Sequence, residues 1–337
     1  FLDTLKGGLT PVEEGGGKQT RSLELVASDG IVYTLRSINK YPDPLIPGFA
    51  KVLKIENLIE DGISAQHPYA SIVVAELAKS IDIESTHPKV TFIPKQDALG
   101  KFSEEYGNAL YMLEYESEGD KNWTKYKNVE KIIDTEDLQE LKLELKENLK
   151  IDRNILVRAR LFDILIGDWD RHSQQWGWAL QKEGDKTLAI PIPADRDNAF
   201  FDIDGILPSL ISNKNVEPEL RPFRDDIDYM PGLVKPFDIY FLYDTPANIF
   251  TEEAEYIQTN LTDEVISKAF DVWPPEIYEL NGPELISKIK ARRDKLKEIG
   301  IKFREEIQKS ELLSEPLKGT DDKDLEDKLI KCFECEI

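Results

Sequence analysis

Cysteine and histidine are scarce in this chain of 337 residues, which contains two cysteines and three histidines. Both cysteines, Cys332 and Cys335, belong to one C-x-x-C sequence, so at most one disulfide is possible. A redox or zinc site with this motif needs a strand–helix context or a second pair of ligands, and the sequence shows neither. His67 and His87 each precede a proline and lack the spacing of metal ligands. The few residues of these two types therefore disfavour a thiol redox site and a zinc site.

Long apolar runs are absent too, and basic residues are outnumbered. No run approaches the roughly 18–20 apolar residues of a membrane helix, so the sequence predicts no transmembrane segment in this chain. The 65 acidic residues exceed the 43 basic ones and give a net charge of −22. Because nucleic acids are bound by basic surfaces, this charge argues against a nucleic-acid partner. The first residue is Phe1, and a removed signal leaves both cytoplasmic and exported or periplasmic locations open.

The first part of the chain has the pattern of a small sheet with one helix. Residues 1–18 are rich in glycine and polar residues and end in three glycines followed by Lys18. Alternating segments joined by Ser28-Asp29-Gly30 predict a hairpin, and a periodic apolar segment with Pro68 near its start predicts a helix. The predicted elements are strands at 22–27 and 31–38, a helix at 67–80, and strands at 90–93 and 109–116.

From about residue 130 the pattern becomes helical. Apolar residues at helical spacing predict one helix over 137–149 and another between Asp152, a capping residue, and Gly167, a residue that ends helices. The remaining predictions are hairpin strands at 175–180 and 187–193, and helices near 251–271 and 282–311.

Two polar segments flank the predicted hairpin, GDWDRHSQQ at 167–175 and PADRDNAF at 193–200. Phosphoryl transfer needs one carboxylate to orient the attacking hydroxyl, a second to hold the metal that bridges the phosphates, and another oxygen ligand nearby. Asp170 is followed five positions later by Gln175, and the hairpin returns the chain at Asp195 and Asp197. This spacing is typical of protein kinases.

The stretch FDILIGDWDRH resembles the G-N-x-D-R-H loop of the secretory-pathway kinases. It is also similar to the G-D-R-H loop of phosphoinositide kinases and to the corresponding loop of HipA-type bacterial kinases. PADRDNAF resembles their metal-binding segment. More loosely, KQTRSL, SAQHPYAS and GDWDRH together resemble kinase-like regions of long bacterial envelope proteins.

The resemblance implies an atypical protein-kinase-like fold of the α+β class. This fold is bilobal, with a small, mainly-β lobe that carries one helix and a larger, mainly-α lobe. The predicted divisions are a flexible lead at 1–18, a small lobe at 19–116, a large lobe at 117–311 and a charged, mobile tail at 312–337.

The same resemblance implies roles at the catalytic end. Asp170 would be the catalytic aspartate, Gln175 a metal-side ligand and Asp195 the metal aspartate. Asp197 competes for that last role because the D-x-D sequence leaves the register open. The implied cofactors are ATP and Mg²⁺ or Mn²⁺.

Four further residues are implied on the nucleotide side. Arg36 occupies the place where a kinase strand carries its phosphate-binding lysine, and arginine clamps phosphate in a different geometry. Gly15–Lys18 would supply a loop over phosphate, in which Lys18 contacts the phosphates. Glu76 is the acidic partner expected from the helix, and Glu114 lies on the strand expected to face adenine.

The implied activity is an ATP- and metal-dependent phosphotransferase. Its acceptor, a protein or a small molecule, is not identified, and loops around 201–240 are expected to bind it. Arg36 in place of lysine and Gln175 in place of asparagine depart from the kinase pattern and leave two alternatives open. One is a catalytically weak or inactive nucleotide-binding scaffold, and the other is an AMP transferase on the same fold.

Overall fold

The first lobe is a five-stranded antiparallel sheet with strand order β1-β2-β3-β5-β4. It belongs to a computed structural model that describes residues 1–15, 21–38, 66–202, 221–227, 229–318 and 327–333. The strands of this sheet are β1 (Leu9–Gly15), β2 (Ser22–Ala27), β3 (Val32–Ser37), β4 (Lys89–Ile93) and β5 (Ala109–Tyr115). Gly30, with φ at +85°, closes the predicted β2–β3 hairpin.

Helix α1 (Ala70–Ser80) connects β3 to β4 in the sequence but packs mainly with the second lobe. Its buried face belongs to the same apolar core as the second-lobe helices, whereas the sheet has a separate core of its own. The buried residues of this face are Ala70, Val73, Val74, Leu77 and Ala78. The helix is therefore fixed to the second lobe more than to the strands on either side of it.

The second lobe is mainly helical around a four-stranded sheet with strand order β6-β8-β9-β7. Its strands are β6 (Val129–Ile133), β7 (Leu149–Ile151), β8 (Trp176–Glu183) and β9 (Lys186–Pro193). After α1 and the short first-lobe helix α2 (Ser103–Tyr106), the helices are α3 (Thr135–Leu145), α4 (Arg153–Ile166), α5 (Pro236–Leu242), α6 (Ala247–Asn260), α7 (Asp263–Ala269), α8 (Pro275–Asp294), α9 (Leu296–Lys309) and α10 (Asp327–Phe333). Short 3₁₀ turns lie at Leu5–Gly7, Asp97–Phe102, Lys146–Asn148, Ser173–Gln175, Met230–Leu233 and Phe270–Val272. Every helix in the described ranges is too short or too polar to cross a bilayer.

The α+β architecture predicted from the sequence is confirmed. The predicted strands and the helices up to residue 167 match within a few residues, whereas β1, β6, β7, α2, α5 and α10 were not predicted. The helices predicted near 251–271 and 282–311 are each divided in two, as α6 with α7 and α8 with α9. Strand β7 pairs with β9 in parallel, while β8 and β9 form the expected antiparallel hairpin. The hairpin carries the chain from the loop after α4 back to the segment that starts at Ala194.

The segment after α9, which the sequence predicts as a charged, mobile tail, lies partly against the loop between α4 and β8. We call residues 312–318 the strap. The side-chain amide of Gln139 forms two hydrogen bonds of 2.9 Å with the backbone N–H and carbonyl of Leu317, which is 5% exposed. The hydroxyl of Ser173 donates to the carbonyl of Lys318 at 2.6 Å. The strap therefore braces the loop that follows α4.

Candidate active site

Helix α4 positions the first acidic segment, and both of its ends follow from the sequence. The Asp152 carboxylate caps the helix by accepting from the N–H of Ile155 at 3.0 Å. Gly167 ends it in a left-handed conformation with φ at +72°, and a Cβ there would lie 2.5 Å from the Phe223 ring. A glycine is thus required at this turn for both conformation and space. Asp168 and Asp170 follow directly.

Asp170 is half-exposed in the loop between α4 and β8. No residue in the described ranges donates a hydrogen bond to its carboxylate. Its oxygens are therefore available to accept a hydrogen bond.

Asp195 and Asp197 follow strand β9, where the hairpin returns to the loop. The Ala194 N–H donates to the Gln175 carbonyl at 2.9 Å, so the two predicted segments are hydrogen-bonded to each other. Asp195 has φ at +49°, an unusual backbone conformation for a residue other than glycine. Its Oδ2 lies 3.4 Å from Nη1 of Arg36 on strand β3. The structure thereby joins a residue of the first lobe to one of the second.

Arg171, which the sequence analysis did not assign to the site, holds these segments together. Its Nη1 donates to Oε1 of Gln175 at 3.0 Å and to the carbonyl of Ala194 at 2.7 Å. Its Nη2 donates to the Gln175 carbonyl at 3.2 Å. Because Gln175 is 4% exposed and accepts from a cation, its amide oxygen is already engaged. The arginine of the D-R-H motif was the available signal for this role.

Beneath the loop lies a buried charge cluster centred on Asp163, which is fully buried near the end of α4. Its carboxylate accepts from Arg160 at 3.1 Å, from Arg171 at 3.1 Å and from Arg196 at 2.9 Å. Arg160 also forms a bidentate pair with Asp238, at 2.6 and 2.9 Å. Although burial acts to raise it, the three guanidinium groups hold the pKa of Asp163 below its ordinary value.

Asp168 contrasts with Asp163, because it is 2% exposed and neither of its carboxylate oxygens has a hydrogen-bond partner in the described part of the chain. The nearest cation is Arg171, whose Nη1 lies 3.5 Å from Oδ2. Burial raises the pKa of Asp168 well above the ordinary carboxyl value; Arg171 opposes this shift, and Asp163 and Asp170 add to it.

Replacing Asp168 by asparagine is therefore expected to stabilise the nucleotide-free protein at neutral and alkaline pH. The raised pKa means that the native state keeps this proton to higher pH than the unfolded chain does. Above the ordinary carboxyl pKa of about 4, the free energy of unfolding then falls as pH rises. Thermal unfolding at about pH 4 and about pH 8 should show that the variant melts higher only at pH 8, whereas Asp185→Asn, an exposed control, follows the wild type at both. An Asp168→Asn protein that melts lower at pH 8 would refute this explanation.

A cavity of about 870 Å³ lies between the two lobes beside the ion pair of Arg36 and Asp195. Among the predicted site residues, it brings together Arg36, Glu114, Asp195 and Asp197. Its other lining residues are Ser37, Ile38, Gln66, His67, Pro68, Tyr69, Ser71, Phe92, Asn108, Ala109, Leu110, Met112 and Arg196.

The remaining predicted residues are placed elsewhere. Asp170 and Gln175 lie in the adjoining loop, and Glu76 lies half-buried on α1 away from the cavity lining. Lys18 lies outside the described residues, between the end of β1 at Gly15 and the start of β2. The cavity residues around His67 were not assigned to the site from the sequence, since their only local signal was a predicted helix start.

Carboxylate and amide oxygens near the cavity are of the kind that divalent cations prefer. Among the described residues, no three His, Cys, Asp or Glu side chains are placed to hold a metal by themselves. Mg²⁺ in nucleotide sites is held by one or two carboxylates together with substrate phosphates. Asp195 presents a carboxylate beside the cavity, whereas the amide oxygen of Gln175 accepts from Arg171.

No family model and no curated protein matches this chain. Among solved structures, it is similar to the proinflammatory kinase CtkA of Helicobacter pylori, with a TM-score of 0.43 and 13% identity over 85% of this chain and 94% of that chain. It is also similar to a structure of the HipA–HipB toxin–antitoxin system of Shewanella oneidensis MR-1 with its operator DNA, with a TM-score of 0.43 and 12% identity over 90% of this chain and 68% of that chain.

Proposed function

We propose that this chain is an ATP- and metal-dependent phosphotransferase of the atypical kinase class. The observation that carries the proposal is the cavity between the lobes, where Arg36 of the first lobe is paired with Asp195 of the second. A cation and a carboxylate facing one cavity are the two groups needed to bind a polyphosphate with its metal.

The roles follow from the positions of the side chains. Asp170, which carries no competing hydrogen bond from the described residues, orients the acceptor hydroxyl and takes its proton. Arg36 binds the phosphates, and Asp195 with Gln175 holds Mg²⁺ or Mn²⁺. The bound metal ion would supply neutralisation of the charge that develops on the phosphates. Asp195 is assigned this role ahead of Asp197 because it combines the ion pair to Arg36 with the positive φ.

A thermal-shift titration with ATP and Mg²⁺ tests nucleotide binding. At 100 times the dissociation constant, a bound ligand stabilises the native state by about 2.7 kcal/mol, which raises the melting temperature of the wild type. Asp195→Ala is expected to remove most of the Mg²⁺-dependent part of this rise, and Asp197→Ala, its matched control two residues away, is expected to retain it. An unchanged wild-type melting curve would contradict nucleotide binding, and a larger loss in Asp197→Ala would exchange the two roles.

A second candidate function is a kinase-like nucleotide-binding domain without turnover. It is favoured by one contact, since Oε1 of Gln175 is engaged by Arg171 at 3.0 Å and Gln175 is buried. Intact-mass measurement of the protein and of candidate acceptors after incubation with ATP and Mg²⁺ separates the possibilities. Added phosphate supports phosphotransfer, and added AMP supports an AMP transferase that binds the nucleotide in the opposite orientation. Stabilisation by ATP without any added mass supports the domain without turnover.

A further inference from the structure

Strand β5 carries a carboxylate that holds Arg36 from within the sheet. The backbone register pairs Thr34 with Glu114 and Arg36 with Met112, so Arg36 and Glu114 lie two residues apart on neighbouring strands. Residues offset by two project from the same face of a sheet. Nε of Arg36 donates to Oε1 of Glu114 at 3.2 Å. The backbone pairing of β3 with β5 therefore fixes this ion pair.

The second oxygen of Glu114 is fixed as well. The hydroxyl of Thr86 donates to Oε2 of Glu114 at 2.5 Å, and these two side chains are 5% and 7% exposed. The carbonyl of Thr86 also accepts from the N–H of Tyr115, which anchors the Thr86 segment to β5 itself. Both oxygens of the carboxylate are thus occupied by partners that belong to the sheet or are tied to it.

Arg36 nevertheless keeps capacity for a ligand. A guanidinium carries five N–H donors; among the described residues, Nε bonds Glu114 and one hydrogen of Nη1 bonds Asp195. The side chain is 24% exposed and lines the cavity. A guanidinium held at Nε is preorganised to present its outer nitrogens to a phosphate.

Glu76, the partner expected from the helix, is placed differently. It is half-buried on α1, and its backbone carbonyl accepts a hydrogen bond from the hydroxyl of Ser80. In the described part of the chain, the ion pairs of Arg36 go to Glu114 and Asp195. Because the buried face of α1 packs in the second-lobe core, the helix does not carry the carboxylate that neutralises Arg36.

We infer that Glu114 is the positioning residue for the phosphate-binding Arg36, that Thr86 holds Glu114 in place, and that Glu76 has no part in this. The inference rests on the proposed function in one respect, since it takes Arg36 to bind phosphate. Because Glu114 and Arg36 lie on neighbouring strands of one sheet, their pairing does not depend on residues of the second lobe.

The test compares ATP·Mg²⁺ with adenosine as ligands of the full chain, using calorimetry on the wild type, Glu114→Gln and Glu76→Gln. Glu114→Gln removes the charge that Arg36 hydrogen-bonds to, and such a bond contributes substantially to holding the guanidinium in place. We therefore expect the substitution to weaken ATP·Mg²⁺ binding by ~10-fold to ~100-fold. Adenosine lacks phosphates, so its affinity should change by less than about twofold if the effect is confined to Arg36. Glu76→Gln should leave both affinities unchanged.

Several outcomes would overturn the inference. Equal losses of affinity for ATP·Mg²⁺ and adenosine in Glu114→Gln would indicate that Glu114 acts on adenine binding instead. A loss of ATP·Mg²⁺ affinity in Glu76→Gln would assign the positioning role to Glu76 on α1. If Glu114→Gln does not fold, Thr86→Val removes only the supporting hydroxyl and must still weaken ATP·Mg²⁺ binding selectively. A wild type that binds adenosine but gains no affinity from the phosphates would overturn phosphate binding by Arg36 and this inference with it. Binding of neither ligand would remove the proposed function and this inference together.

Discussion

Replacing Asp170 by asparagine is expected to lower the rate of phosphoryl transfer by ~10²–10⁴, the usual effect of losing a general acid–base group. The substitution keeps the shape of the side chain and removes its ability to take a proton. Because Asp170 lies outside the cavity lining, the rise in melting temperature caused by ATP and Mg²⁺ should persist. The rate is measured with the acceptor, or with the protein itself, that gains phosphate in the mass experiment.

Asp185→Asn serves as the control for this experiment, since Asp185 is an exposed aspartate in the turn between β8 and β9. It should transfer phosphate at the wild-type rate. Full activity in Asp170→Asn would refute the assignment of the catalytic base. The same measurement on Asp168→Asn would then show whether the first aspartate of the loop has that role.

Replacing Asp163 by alanine is expected to lower the free energy of unfolding by about 3–5 kcal/mol, because it leaves buried charges without a partner. Three guanidinium groups contact this carboxylate, which is fully buried, and all three arginines are at most 5% exposed. Arg160 keeps Asp238 after the substitution, but Arg171 and Arg196 lose their shortest ion pairs. Chemical denaturation of the nucleotide-free protein measures the loss directly.

The comparison for Asp163 is an ion pair of the same kind at the surface. Glu104 contacts Lys95 at 2.6 Å but is 85% exposed, so Glu104→Ala should change the free energy of unfolding little. A similar small effect for Asp163→Ala would mean that water or rearranged side chains compensate the buried arginines. That result would contradict the view that the cluster supports the catalytic loop.

Helices with a capping residue at the start and a glycine stop at the end could be predicted from the sequence. Helix α4 is an example, because Asp152 caps its start and Gly167 stops it. Strand β1 could not be predicted, since Leu9 is its only buried residue and Pro11 interrupts the pattern at this edge of the sheet. The three-residue strand β7 was missed for a related reason: its pairing with β9 depends on a partner distant in the sequence.

In the candidate site, too, local features could be predicted from the sequence and long-range contacts could not. The spacing from Asp170 to Gln175 is local, and the loop has the length that the sequence indicates. The partner of Arg36 is a matter of tertiary structure, because Asp195 is 159 residues away and Glu114 is 78 residues away. The contact of Arg36 with Glu114 depends on the register of β3 and β5, which composition and periodicity do not contain.

The strap is synthesised long after the loop that it braces. Ser173, in the loop between α4 and β8, hydrogen-bonds to Lys318, which is 145 residues further along the chain, and Gln139 bonds to Leu317 across 178 residues. Chains fold progressively as they leave the ribosome, with the N-terminal parts first. The acidic loop therefore emerges long before the segment that braces it. A nascent chain that stalls before residue 317 carries every predicted catalytic and metal-binding residue and still lacks the brace.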